Sequence, residues 1–393
     1  MRDSVRNKAY MKFYNRQNIL DIINKKPLSR AELARKTGLT RAAVTIIVDG
    51  LLKEGIVMET TAAEADYGRK PILLDIRREN YYAIGLNISR GGCCAGITDL
   101  KGTVKVRREI NLPKTNAREA LEIIKQELHQ LTAQCDKEKG KLLGIGITTP
   151  GPVDVFSGTI LNPPNFELWN NFEIVAELKK DFPCEIYLEN NSSSLALAER
   201  NFGEGCRFNS YMLLVVDTGI GAGIIINNSL YRGVGGYGGE LGHTSIDING
   251  KPCKCGNRGC LEVYASIPAL LRDAKQKYPE VRTWKDIVDK AVSGDNGCRE
   301  IIEKEARLLS NSIVNSMNIL ELEAVILTGL INYGELLVNR IREIVHSTAI
   351  TRDIHKIQIC MSSISRDSDI IASAAIVIEK FFNGSMLKQQ PSK

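Results

Sequence analysis

The spacing of apolar positions changes character near residue 80 of this 393-residue chain. Before that point it is helical. Ile19, Ile22 and Ile23 share one face of a helix predicted over 16–25, ending before Pro27. Ser29-Arg30-Ala31-Glu32 predicts a capping box, in which hydroxyl and carboxylate close the first turn of a second helix. That helix runs through Leu33 and Ala34 and stops near Gly38. Thr40 caps a third, whose inward face is Val44, Ile47, Val48, Leu51 and Leu52. A short helix, a glycine turn and a longer helix make a helix-turn-helix arrangement. Its leading residues, Thr40, Arg41, Ala42 and Thr45, are where such a helix meets base edges in a major groove. Ile56 to Thr60 and Pro71 to Ile76 then read as a hairpin, with Gly68-Arg69-Lys70 as a basic tip for phosphate or minor-groove contact. The alternative is a three-helix packing module that touches no DNA.

From Tyr81 the pattern is of apolar strands punctuated by glycines. Ile84 to Ile88 and Cys93 to Thr98 predict a hairpin, followed by a strand through Val104 and Val106, a helix over 117–134 and a buried strand at 143–147. A second such block begins with a strand at 212–216. A glycine loop over 217–223, a strand at 224–227, a long amphipathic helix at 300–320 and a buried strand at 324–327 complete it. Two such halves predict two α/β lobes facing a cleft, the place where open α/β sheets bind ligands.

Charge changes the picture when it is divided. Residues 1–80 hold 16 Lys and Arg against 10 Asp and Glu, whereas the remainder holds 36 of each. The whole excess of +6 sits in the amino-terminal module, which suits a polyanion partner for that module alone. The apolar runs are too short to span a membrane, and the amino terminus has no signal-peptide core. Ten cysteines in that context predict free thiols or metal ligands in a reducing cytoplasm.

Three of those cysteines crowd into Cys253-Lys254-Cys255-Gly256-Asn257-Arg258-Gly259-Cys260, ten residues after His243. Three thiolates and an imidazole are the ligand set of a closed, structural zinc site, so His243, Cys253, Cys255 and Cys260 are predicted to hold Zn2+. The alternative is a set of buried thiols beside an unrelated histidine.

The zinc motif extended to Glu262, together with Gly239-Glu240-Leu241-Gly242-His243, Gly219-Ile220-Gly221-Ala222-Gly223 and Pro150-Gly151-Pro152-Val153-Asp154, resembles the ROK family of sugar kinases and sugar-responsive repressors. The resemblance covers essentially the whole chain, and its layout looks most like the xylose repressors of Gram-positive bacteria. It implies an α/β chain in three parts. A winged helix-turn-helix at 1–78 precedes an actin-like (ribonuclease H-like) pair of lobes at 79–198, completed by about 365–385, and 199–364. It also implies double-stranded operator DNA and a monosaccharide, xylose or glucose-like, as partners, a homodimer or dimer of dimers, and a cytoplasmic, nucleoid-associated protein.

The resemblance further implies that Asn165, Asn190, Glu240, His243 and Glu262 bond sugar hydroxyls. Asn191 stands where family kinases carry the aspartate that takes the hydroxyl proton, in Glu189-Asn190-Asn191. An asparagine amide can bond a hydroxyl but cannot accept its proton. Where kinases read Asp-x-Gly-x-Thr, this chain has Asn87-Ile88-Ser89-Arg90-Gly91, without the acidic group and the backbone-exposing glycine. The expectation is a sugar-responsive repressor with no catalytic residue, and the rival is a sugar kinase with an accessory DNA-binding domain. Trp169, in the loop after Asn165, is either an apolar wall for the sugar or a plug for its lobe.

Overall fold

The computed structural model describes residues 8–61, 72–113, 115–329, 335–354, 356–364 and 366–383. The first helices are α1 (Lys8–Lys25), α2 (Arg30–Thr37) and α3 (Arg41–Lys53). The capping box forms as the sequence predicts: the Glu32 backbone N–H donates to the Ser29 hydroxyl at 3.3 Å, and the Ser29 N–H donates to the Glu32 carboxylate at 2.9 Å. The Ser29 N–H, together with the Ser29 hydroxyl donating to the same carboxylate at 2.8 Å, holds the Glu32 carboxyl below its ordinary pKa. Gly38, at φ 69°, turns the chain out of α2 in a left-handed conformation that glycine adopts without steric cost. Thr40 then caps α3 by accepting from the Ala43 N–H. Strands β1 (Val57–Thr61) and β2 (Ile72–Ile76) pair antiparallel to complete the wing. The predicted tip residues Arg69 and Lys70 lie outside the described residues.

The first lobe contains β3 (Tyr81–Ser89), β4 (Gly92–Asp99), β5 (Val104–Ile110), α4 (Ala117–Lys137), β6 (Lys141–Thr149), the two-residue pair β7 (Val153–Asp154) and β8 (Thr159–Ile160), α5 (Ile174–Lys179) and β9 (Glu185–Asn190). Its sheet order is β5-β4-β3-β6-β9. The chain then crosses to the second lobe through α6 (Asn191–Phe202). There β10 (Tyr211–Val216), β11 (Ile220–Ile226) and β12 (Ser229–Tyr231) form a meander. Next come α7 (Glu262–Ala265), α8 (Ile267–Ala274), α9 (Trp284–Val292), α10 (Asn296–Leu320), β13 (Ala324–Thr328), α11 (Glu335–Thr348) and β14 (Gln358–Met361). This sheet runs β12-β11-β10-β13-β14. Numbered within its own lobe, each sheet has the order 3-2-1-4-5, with three antiparallel strands followed by two parallel ones. The chain returns through α12 (Ser368–Phe382), which packs on β3 and β6 of the first lobe.

One expectation needs correcting. The glycine run over 217–223 is not a loop, because β11 already begins at Ile220 and only Asp217-Thr218-Gly219 turns. The glycines serve close packing instead. A Cβ on Gly223 would sit 2.3 Å from the Ser192 carbonyl oxygen and 2.5 Å from the Ala196 Cβ, so β11 can lie directly on α6.

The module is not a loosely tethered appendage. Its core of Ile19, Leu20, Ile23, Leu33, Val44, Val48, Leu51 and Leu74 runs without a break into Val377, Ile378 and Phe382 of α12. Of the predicted inward face of α3, Val44, Val48 and Leu51 are fully buried, while Ile47 and Leu52 pack at its edge.

Candidate functional site

Between the lobes lies a cavity of about 770 Å3, a size typical of small-molecule sites. Asn165, Asn190, Asn191, Glu240, His243 and Glu262 all line it, so the six predicted ligand contacts come together from both lobes. Local structure explains each placement. Asn190 caps α6, its side-chain oxygen accepting from the Ser193 N–H at 3.1 Å, which leaves its amide nitrogen beside Gly151. Asn191 opens the same helix, and its oxygen accepts from the Asn87 amide at 3.5 Å. Glu262 accepts the Ile220 N–H at 2.9 Å, fixing one carboxylate oxygen against β11. Glu240 opens to solvent through the cleft mouth, yet the protein around it pushes its pKa above the usual carboxylate range. His243 opposes that shift and the Glu262 charge adds to it. Asn165, at φ 57°, accepts from the Lys254 ammonium at 2.8 Å, a bond that spans the cleft mouth.

No carboxylate of the Glu189-Asn190-Asn191 run faces the ligand space. Glu189 is buried and ion-paired to Arg232 at 2.7 Å, away from the cavity. At the first-lobe turn Arg90 reaches into the cleft and donates to the Pro164 carbonyl at 2.8 Å. Burial there lowers its pKa. Asp217 and Asp369 do line the cavity. Burial pushes the Asp369 carboxyl up, but two terminal guanidinium nitrogens of Arg107, at 2.6 and 2.9 Å, together with the Cys94 thiol and the Ile370 N–H, keep it low. Trp169 is the plug: it is buried, meets Phe172 edge-on at 5.1 Å, and does not line the cavity.

Beside the cleft the ligand atoms of His243, Cys253, Cys255 and Cys260 all lie within 4.8 Å of one another. Cys253 Sγ is 3.7 Å from His243 Nδ1, and Cys255 Sγ is 3.7 Å from Cys260 Sγ. A tetrahedral zinc with bonds of roughly 2.0–2.3 Å spaces its ligands about 3.5–3.8 Å apart, so the four residues fit the metal. Burial and the neighbouring sulfurs push the Cys260 thiol up to about 12, while a backbone N–H from Asn257 and the other thiols draw Cys255 down. A bound dication would let all three ionise together. Gly259 is required for this loop: its φ is 66°, and a Cβ would sit 1.8 Å from the Asp247 oxygen.

In the module Thr40, Arg41, Ala42 and Thr45 are all exposed at the leading end of α3. The sequence reading missed Ile46, which follows Thr45 and is 67% exposed. It also missed the contacts that tie the cleft lining, at Asn87 and Thr148, to α12. Asn87 donates to Thr148 at 2.9 Å, and the Thr148 hydroxyl meets that of Ser373 on α12 at 2.7 Å. Nothing in the local sequence marks these contacts, because their partners are 61 and 225 residues apart.

Two lobes of like strand order around a hydroxyl-lined cleft, carrying a helix-turn-helix, define the class: a kinase-shaped ligand-binding body joined to a DNA-binding module. The ROK family model matches residues 83–380, and the chain belongs to the ROK family. It is 30% identical over 381 residues to a xylose repressor of Bacillus spizizenii, covering 96% of this chain and 98% of that protein. The crystal structure of a ROK family transcriptional regulator, a homologue of E. coli MLC, superposes with a TM-score of 0.82 at 25% identity, over 96% of this chain and 98% of that one. A ROK family glucokinase from Streptomyces griseus, solved with glucose and AMPPNP, superposes with a TM-score of 0.63 at 26% identity. It covers 75% of this chain and 98% of its own.

Proposed function

We propose that this chain is a sugar-responsive, DNA-binding transcriptional repressor that has no phosphotransferase activity. The observation that carries the reading is Asn191. It occupies the proton acceptor's place at the start of α6, bonded to Asn87, while the adjacent carboxylate of Glu189 is committed to Arg232. A hydroxyl held there can be bonded but not deprotonated. Full-length likeness to a xylose repressor and to a ROK regulator, against a glucokinase that matches only the body, supports the same conclusion.

In this reading Asn165, Asn190, Asn191, Glu240, His243 and Glu262 bond the hydroxyls of one monosaccharide, with xylose the leading candidate. His243, Cys253, Cys255 and Cys260 hold a structural zinc. When bound, the metal supplies rigidity to the loop and a fixed tautomer to His243, leaving Nε2 as an N–H donor. Thr40, Arg41, Ala42 and Thr45 meet the operator, and the exposed Ile46 suits a thymine methyl. Arg69 and Lys70 contribute phosphate contacts. The proposed division at residues 78 and 198 falls between the wing strands and each of the two five-stranded sheets, and a homodimer presents two recognition helices to a palindromic site. No helix among the described residues is long and apolar enough to cross a membrane.

Calorimetric titration against a panel of pentoses and hexoses, paired with a coupled ATPase assay, tests the reading. One sugar binds and none is turned over. Robust turnover of any of them makes the protein a kinase.

A further inference from the structure

We propose that Arg200 is the positioning residue through which the cleft acts on the DNA-binding module. The inference deepens the sugar-responsive reading above and rests on it. α6 begins at the cleft, where Asn190 caps it and Asn191 opens it. At 12 residues it spans about 18 Å. Along its length Ser192 and Ala196 lie against the glycines of β11 in the second lobe, and α12 packs on its other side. Near its far end Arg200 donates to Glu379 of α12 at 2.6 Å and to Asp21 of α1 at 3.4 Å. One helix therefore touches the ligand space, the second lobe, the returning helix and the module.

The seam that Arg200 meets is built unlike the module's core. Gln17, Asp21 and Asn24 recur on α1 at spacings of four and three, which puts them on one face. Gln17 and Asn24 are 8% and 6% exposed, and Arg200 is only 10% exposed on its side chain. Both Gln17 amide atoms, Asn24 Oδ1 and Arg200 Nε lack a hydrogen-bond partner among the described residues. Buried polar groups left unpaired destabilise the arrangement that buries them. The proposed coupling requires a second arrangement of α6 against α1 that pairs them differently and lies close in energy. The apolar contact of the module with α12 keeps it attached while the polar seam changes register.

The movement begins at Asn191. A sugar hydroxyl that bonds Asn191 competes with the long 3.5 Å contact from Asn87 and draws on the start of α6. Because α6 is one continuous helix, displacement at its start moves Arg200 relative to Asp21.

The test uses the full-length protein, with operator affinity measured by fluorescence anisotropy with and without the sugar identified by calorimetry. In the wild type the two affinities differ by about tenfold or more, within the usual range of coupling between sites. Asp21→Asn keeps sugar affinity and operator affinity without sugar within about threefold of wild type, as expected of a near-isosteric change at a part-exposed site. Its coupling ratio falls toward one. Arg200→Met loses the ratio as well, and Arg200→Lys, which retains a cation, recovers part of it. Lys101→Met removes another bond of the same seam, to the Asn24 carbonyl at 2.7 Å, and an ion pair to Asp75, but among the described residues its ammonium bonds nothing on α6, and the variant keeps the wild-type ratio. Full coupling in Asp21→Asn overturns the assignment, as does equal loss in Lys101→Met. A wild type whose operator affinity ignores the bound sugar overturns the sensing reading itself, and this proposal with it.

Discussion

The two lobes share a strand order but not a use. In the first, a single helix, α4, separates the third strand from the fourth. In the second, the same step takes the chain from Tyr231 to Ala324 and passes through Glu240, the loop of Cys253, Cys255 and Cys260, Glu262 and α7 to α10. At the end of β3 the first lobe carries Asn87 and Ser89 where the Asp-x-Gly-x-Thr pattern has its acidic and glycine positions. The corresponding second-lobe turn keeps Asp217-Thr218-Gly219. On the proposed reading, the second-lobe insertion supplies the carboxylates that bind ligand and their anchor, whereas Asn191 in the proton acceptor's place removes proton transfer and leaves the cleft intact.

This contrast can be broken at its anchor first. Cys255→Ser removes one of four donors, and because a structural metal's binding energy is folding energy, the variant should lose its zinc. The loop carrying Glu262 then loosens, and sugar affinity falls by well over about tenfold. Metal analysis alongside calorimetry checks both, and a zinc-free protein with wild-type sugar affinity refutes the link.

Glu240→Ala comes next. It removes a carboxylate whose hydrogen bonds to hydroxyls contribute about 1.5–3 kcal/mol, or roughly 10- to 150-fold in sugar affinity. Operator binding without sugar stays unchanged. Arg41→Ala should do the reverse, costing about 1–3 kcal/mol on operator DNA and nothing in the cleft. If each variant harms both activities equally, the division of labour between module and cleft is wrong. Gly223→Ala probes the packing between α6 and β11. Its Cβ meets the Ser192 carbonyl oxygen at 2.3 Å, and the overlap should destabilise the fold by about 1–3 kcal/mol, read as a lowered unfolding midpoint in urea. Thr40→Ala removes the α3 cap, for a loss of about 1 kcal/mol in the same measurement.

What the sequence made legible follows from the range of the interactions involved. The capping box at Ser29 and Glu32, the turn at Gly38 and the cap at Thr40 are contacts between residues at most five positions apart, and all were readable. The clustering of His243, Cys253, Cys255 and Cys260 was readable because three thiols fall within eight residues. The glycine run was misread because glycine permits both a turn and a close approach. Only the position of Ser192 and Ala196, one helix away, decides between them. Trp169 could not be assigned for the same reason: its neighbours, not its loop, make it a plug. The link from Asn87 through Thr148 to Ser373, and the pair of Arg200 with Asp21, join parts of the chain more than 60 residues apart. No local pattern encodes them.

The central claim is that a cleft shaped for phosphotransfer now reports sugar to DNA. Operator affinity of the wild-type protein, measured at fixed salt without nucleotide and with the cleft either empty or saturated by its sugar, tests it most directly. The account predicts two affinities at least about tenfold apart. Identical affinities, with saturation confirmed by calorimetry, would contradict it.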